Sequence, residues 1–270
     1  NQVRVNGFAR VLGFATAGGS DQANFEGTSG DDTFTGKADF SYLVGQDFWN
    51  YARGFERVEV DFATSGNDAA WLYGTAGDDQ AAVSAEAVTL TLDGGSVIEA
   101  RGFAAAHVLA AGGADSATLQ GTDDASHRFE WNPESAELTS SLPSGDVVTS
   151  IVDFENVVAT GGESTDTAAL FGSTTADALI ALPEVAQLTT PDAMVMAHEF
   201  AFVATHGGDG DDTAHLEDSR FNDNHYSQPG FSYLSGPGYF NLISGFDVID
   251  IAATNGGYDI SNSHFGATIY

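Results

Sequence analysis

The sequence predicts an all-β repeat fold, a right-handed parallel β-helix, and three observations lead there. A repeat of about 47 residues recurs along a chain of 270 residues, and a period of that size dictates architecture. Short motifs within each repeat alternate apolar and polar residues with period two, between turns rich in Gly, Asp, Asn and Ser. Helical periodicity is almost absent; its best candidate, the Ala-rich stretch at 104–111, falls in a strand column of the repeat.

Four columns define the repeat. The first is a Phe at positions 8, 55, 103, 154, 200 and 246, with a small apolar residue three places later (Val11, Val58, Ala106, Val157, Val203, Ile249). The second reads Asp-x-Ala-x-Leu/Phe, beginning at Asp21, Asp68, Asp115, Asp166 and Asp212 and decaying at Asp259. The third is an acid about eleven residues further on, read as Asp32, Asp79, Asp124, Asp177 and Asp223. The fourth is an Ala or Pro five residues before Leu43, Leu90, Leu138, Leu188 or Leu234. Phe-Ser-Tyr-Leu recurs verbatim at 40–43 and 231–234.

Each repeat holds about five short strands, too few to bury its own apolar face, so neighbouring repeats must stack. The Phe and second-column positions split it into halves of about 23 residues, each the size of one coil of a three-sided solenoid. The expectation is therefore one repeat domain spanning 1–270, two coils per repeat, with the Phe column forming a core stack. A β-propeller of five or six blades is the alternative. Hairpin signals such as Asn-Gly are scarce, which favours the solenoid. The first five residues lack leader character, and the last five read as a partial strand. Neither end shows a polar cap, which leads us to expect either a piece of a longer repeat protein or head-to-tail self-association.

Charge narrows the function classes. The chain carries 39 acidic and 8 basic residues, a net charge of −31, and Lys37 is its one lysine. Phosphate backbones and anionic lipid surfaces would be repelled, so nucleic acid is not an expected partner. No apolar stretch approaches a membrane span, so insertion is not expected. The absence of cysteine removes disulfides and thiolate metal sites.

The acidic turns carry the candidate site. Gly27-Thr28-Ser29-Gly30-Asp31-Asp32-Thr33-Phe34-Thr35 fits G-x-x-G-x-D-x-U-x. Gly207-Gly208-Asp209-Gly210-Asp211-Asp212 fits G-G-x-G-x-D, with the small Ala214 in the large apolar slot, and Gly74-Thr75-Ala76-Gly77-Asp78-Asp79 is a partial copy. These motifs resemble the calcium-binding nonapeptides of the RTX (hemolysin-type) repeat proteins. The resemblance implies calcium as a cofactor held by Asp31, Asp32, Asp78, Asp79, Asp209, Asp211 and Asp212, carboxylate oxygen being the ligand a hard cation requires. RTX repeats run in tandem, whereas each copy here stands alone in its repeat. The competing reading is that these aspartates cap their own turns. The phrasing of the repeat also resembles long acidic repeats of secreted bacterial surface proteins, which implies an extracellular setting.

No nucleophile elbow, phosphate loop or helical His pair is present, and the seven histidines show no metal spacing. Trp49, Trp71 and Trp131 lie off the columns, and alternation points Trp71 outward, where a ring can stack on sugar. The third repeat is the longest; its extra length near 132–146 carries Glu134, Glu137 and Asp146 and reads as a plain loop. The resulting expectation is a non-enzymatic extracellular structural or adhesive protein, a filament subunit by self-association, stabilised by calcium. Polysaccharide is the further candidate partner. A carbohydrate-active β-helix enzyme or a carbohydrate-binding module is the alternative, though seven Arg and one Lys leave little to build a basic cleft for an acidic sugar.

Overall fold

A computed structural model describes residues 7–16, 18–62, 65–162, 164–263 and 268–269. The first five residues, and Gly266, Ala267 and Tyr270 of the terminal fragment, lie outside the described residues. No helix occurs among the described residues; the chain is a β-solenoid of stacked coils, about seven turns.

The first repeat supplies β1 (Arg10–Phe14), β2 (Gln22–Glu26), β3 (Thr33–Gly36), β4 (Phe40–Gly45) and β5 (Phe48–Arg53). The second supplies β6 (Arg57–Asp61), β7 (Ala69–Tyr73), β8 (Gln80–Ser84), β9 (Ala87–Thr91) and β10 (Val97–Arg101). The third supplies β11 (Ala105–Leu109), β12 (Ser116–Gln120), β13 (Ser126–Asn132), β14 (Ser135–Leu142) and β15 (Gly145–Val152). The fourth gives β16 (Asn156–Thr160), β17 (Thr167–Phe171), β18 (Ala178–Ala181), β19 (Val185–Thr189) and β20 (Met194–His198). The fifth gives β21 (Phe202–His206), β22 (Thr213–Glu217), β23 (Asn224–Gln228), β24 (Phe231–Gly236) and β25 (Tyr239–Ser244). The remainder gives β26 (Val248–Ala252), β27 (Ile260–Ser263) and β28 (Thr268–Ile269).

The chain divides into two compact units, residues 1–117 with 144–154, and 118–143 with 155–270. In the first, sheet I runs β1-β5-β4-β3-β7-β11-β15 and sheet II runs β2-β6-β10-β9-β8. In the second, sheet III runs β14-β13-β17-β21-β25-β24-β23-β27 and sheet IV runs β16-β20-β19-β18-β22-β26-β28.

The first, second, fourth and fifth repeats follow one itinerary within their units. A single strand lies in one sheet, the next strand in the opposite sheet, and the last three return as an antiparallel meander, as in β3–β4–β5. The chain then crosses again. Three crossings per repeat is an odd number, so the next repeat starts in the other sheet. In the first unit β1 is in sheet I, β6 in sheet II and β11 in sheet I; in the second, β16 is in sheet IV, β21 in sheet III and β26 in sheet IV. Equivalent positions of adjacent repeats therefore lie on opposite sheets instead of over one another.

Parallel neighbours come from different columns. β3 pairs β7, and β7 pairs β11, both parallel. The offset between hydrogen-bonded neighbours on successive coils is 35 to 43 residues. This is longer than the 23-residue half-repeat suggests, because each meander adds a hairpin to one coil.

Alternation in the strands decides what is buried. Ala70 and Leu72 of β7, Ala106 and Val108 of β11, and Leu43 of β4 point inward and are buried. Val58 and Val60 of β6, Leu90 of β9 and Ile98 of β10 do the same from sheet II. The faces meet: Phe25 of β2 and Phe34 of β3 stand 5.7 Å apart, centroid to centroid. A Cβ on Gly36 would sit 2.6 Å from an Ile98 methyl, so no larger residue fits where those two sheets close. Phe103, Phe154 and Phe200 are buried core residues as expected, whereas Phe8 is exposed. The fourth-column leucines are all buried, each in the middle strand of its meander.

Candidate functional site

The acidic turns are built by their own aspartates. After β2 the chain must turn, and the Asp32 carboxylate accepts the Thr28 N–H and hydroxyl, closing the loop 28–32. Asp79 accepts the N–H of Thr75 at 2.5 Å, the Thr75 hydroxyl and the N–H of Asp93 at 2.7 Å. Asp177 closes on Ser173, and Asp223 on Ser219. Asp32 and Asp79 are buried, as capping aspartates must be if their N–H partners are to stay dry.

A second set of bonds links the coils. The N–H of Asp32 donates to Asp68 Oδ1 at 2.8 Å, and that of Asp79 to Asp115 Oδ1 at 2.6 Å. Asp177 donates to Asp212 and Asp223 to Asp259 in the same way, while the second-column Asp212 itself donates to Asp247. The third column of one repeat thus binds the second column of the next. The alternation of sheets brings these two columns together.

The third repeat corrects one sequence assignment. Asp124 is exposed, and the capping position belongs to His127, which is 2% exposed. The Thr122 N–H donates to its Nε2 at 2.8 Å, its Nδ1 meets the Ser140 hydroxyl, and its own N–H donates to Asp166 Oδ1. An imidazole nitrogen does here what a carboxylate oxygen does elsewhere.

The calcium candidates therefore separate. Besides capping by Asp32 and Asp79, Asp31 Oδ1 accepts the Asn67 N–H and Asp78 Oδ1 the Ala114 N–H, so both pairs are engaged by backbone donors. The turn 207–212 differs. Asp212 is fully buried, its Oδ1 takes the Asp177 N–H, and its Oδ2 has no hydrogen-bond partner. Asp209 and Asp211 stand exposed in the same turn. Burial raises the Asp212 pKa against the opposing Asp177 N–H, and the charges of Asp177, Asp247 and Asp211 raise it further.

A further acidic cluster escaped sequence reasoning. Ligand atoms of Asp218, Asp223 and Asp259 lie within 4.8 Å of one another. All three are occupied: Asp218 takes the N–H of Thr254 and Asn255, Asp223 takes Ser219 and the Tyr239 hydroxyl at 2.8 Å, and Asp259 takes the Asp223 N–H. Burial first, then the Asp223 hydrogen bond, push the Tyr239 hydroxyl far above its usual range.

The histidines stay structural. Burial lowers the pKa of His225, which lies between the Ser261 and Ser232 hydroxyls. At His215 burial opposes protonation, but hydrogen bonds with Asp250 and Glu217 outweigh it and raise the pKa. The long third repeat extends β13 and β14 rather than forming a plain loop, with Trp131 in the core. Glu134 is exposed at the turn between β13 and β14, Glu137 is on β14, and Asp146 is exposed near the start of β15.

The outer faces of the first unit differ in kind. Outward positions of β1, β5, β4, β7 and β11 in sheet I carry Phe14, Trp49, Tyr51, Phe40, Tyr42, Trp71, Tyr73 and His107. Rings stack along the coils: Trp71 on His107 at 4.0 Å, Trp49 on Tyr51 at 5.6 Å and Phe40 on Tyr51 at 5.8 Å. Arg10 lies over Trp49 and Lys37 over Tyr73, cation against ring. No Asp or Glu occupies an outward position of these five strands or of β3. Sheet II presents Glu26, Glu59, Asp61 and Glu99 with Arg57 and Arg101, and no aromatic residue. In the second unit, Phe202, Phe240, Tyr233, Tyr226 and Phe231 form a comparable ladder on sheet III. The repeated Phe-Ser-Tyr-Leu contributes to both ladders, its Ser and Leu pointing inward.

Comparison with known proteins returned no match: no family model, curated sequence or solved structure resembles the chain significantly. No helix among the described residues is long and apolar enough to cross a membrane.

Proposed function

We propose that the chain is an extracellular, non-enzymatic structural or adhesive β-solenoid whose contact surface is the aromatic outer face of sheet I. The carrying observation is the contrast between its two faces. In a chain of net charge −31, six strands of sheet I hold no outward carboxylate and carry a stacked aromatic ladder, Asp146 standing beyond them on β15, while the outer face of sheet II is charged. Contiguous exposed aromatic patches mark interaction sites. Removing carboxylates from such a face avoids their desolvation on contact.

The test is adsorption to polysaccharide particles, to polystyrene and to a surface coated with the protein itself. Substitutions Tyr51→Ser and Trp71→Ser are expected to lower retention at least tenfold on whichever surface binds, and Glu59→Gln on sheet II to leave it unchanged. Equal retention of all three variants contradicts the proposal.

A second reading concerns calcium. Asp212 Oδ2, buried and without a donor, next to the exposed Asp209 and Asp211, fits a hard cation at the turn 207–212. That cation would stiffen the crossing between β21 and β22.

A further inference from the structure

We propose that the partner of the sheet I face is a second copy of this chain, docked face to face. The inference rests on the contact-surface reading above and names the occupant.

Electrostatics select this face. Two chains of −31 each repel at every approach that sets carboxylate against carboxylate. Sheet II would oppose Glu59, Asp61 and Glu99 to their own copies. Strands β1, β5, β4, β3, β7 and β11 of sheet I bring rings, aliphatic groups, Thr, His and the cations Arg10, Arg53 and Lys37, with Arg10 and Lys37 lying over rings; Asp146 stands beyond them on β15.

Shape agrees. Rings stack both from strand to strand, as Trp71 on His107, and along a strand, as Trp49 on Tyr51, so they stand up from the sheet. One row runs Leu12, Tyr51, Tyr42, Thr35, Trp71, His107. Beside it Thr33, Ala69 and Ala105 form a low row on β3, β7 and β11. Outward residues two apart on a strand are about 7 Å from each other, wide enough for a partner's ring row to enter the low one. Upright rings offer edges and grooves, the relief that packed sheets interdigitate, in place of the flat ring faces that a sugar stacks on.

Area suffices. The six carboxylate-free strands, about 4.8 Å apart and about 17 Å long, give a flat footprint of about 500 Å² per copy. The two copies together bury about 1,000 Å², the size at which specific interfaces begin. The contact is isologous and closes as a dimer.

Sedimentation of the full chain at high micromolar concentration tests this. A dimer is expected at physiological salt, and it should tighten as salt screens the −31 charges and loosen at low ionic strength. Leu12→Asp, at a 48% exposed position, and Trp71→Asp should each weaken it at least thirtyfold while preserving the β circular dichroism. Glu59→Gln should not weaken it. A monomer at all salt concentrations overturns the inference, as does a dimer indifferent to both Asp substitutions. Loss of dimer with adsorption to polysaccharide or polystyrene intact would leave the contact-surface proposal standing and sink this one. Loss of both would sink both.

Discussion

Asp79→Ala is expected to lower stability by about 3–4 kcal/mol, because it removes a buried carboxylate on which three donors converge. The Asp79 carboxylate accepts the N–H of Thr75, the hydroxyl of Thr75 and the N–H of Asp93. The residue is fully buried, so water cannot replace the lost oxygens. Hydrogen bonds to a charged group contribute about 1.5–3 kcal/mol each, and the small loop 75–79 recovers part of the loss by relaxing. The melting temperature should fall by about 10 °C. Asp79→Asn keeps one acceptor oxygen and should cost less than half as much. Calorimetry of the two variants checks this, and an Asp79→Ala protein as stable as wild type would remove the capping account of the acidic turns.

Saturating calcium is expected to raise stability by about 2.7 kcal/mol at a hundredfold excess over its dissociation constant. That corresponds to a rise of about 5–10 °C in melting temperature. The effect should vanish in Asp212→Asn, which keeps an oxygen for the Asp177 N–H but lacks the second anionic oxygen. It should persist in Asp31→Asn and Asp78→Asn, whose carboxylates hold backbone N–H groups of the next coil. Melting curves in millimolar calcium, with magnesium as control, decide it. No shift, or a shift that survives Asp212→Asn, removes the cation from the turn 207–212.

The repeat was legible because its columns are chemical necessities. Phe103, Phe154 and Phe200 recur since each repeat must fill the same interior space, and Leu43, Leu90 and Leu138 since each middle strand must bury one large aliphatic residue. Period-two alternation set the strands in place, with Trp71 outward beside the buried Leu72. The pairing of strands was not legible. A period reports that positions are equivalent but not whether they lie on the same sheet, and that turns on an odd number of crossings. The hairpin signal was there in turns such as Asp93-Gly94-Gly95, whose glycines have positive φ, but too few turns carry it to reveal the meanders.

The candidate sites were half legible. Glycine and aspartate spacing located the turns but could not distinguish Asp79, whose oxygens are occupied, from Asp212, whose Oδ2 is not. His127 was missed because it replaces a carboxylate by function and not by charge. The aromatic face was written as alternation, Phe40 with Tyr42, Trp49 with Tyr51, Trp71 with Tyr73. It emerges only once β4, β5 and β7 share a sheet, which local sequence does not encode.

The crossing of sheets at each repeat is the claim on which the ladders and the outer faces depend, and a cysteine-free chain allows a direct measurement. Ala69 and Ala105 are register partners on β7 and β11, about 4.8 Å apart across parallel strands and within reach of a disulfide. Ser116, the equivalent of Ala69 one repeat later, is bonded instead to the start of β8 through Asp79. Oxidation should link the Ala69→Cys/Ala105→Cys variant within one chain and leave Ala69→Cys/Ser116→Cys reduced. Efficient linking of the second pair and not the first would mean that repeats stack directly on one another, and the two-sheet alternation would be wrong.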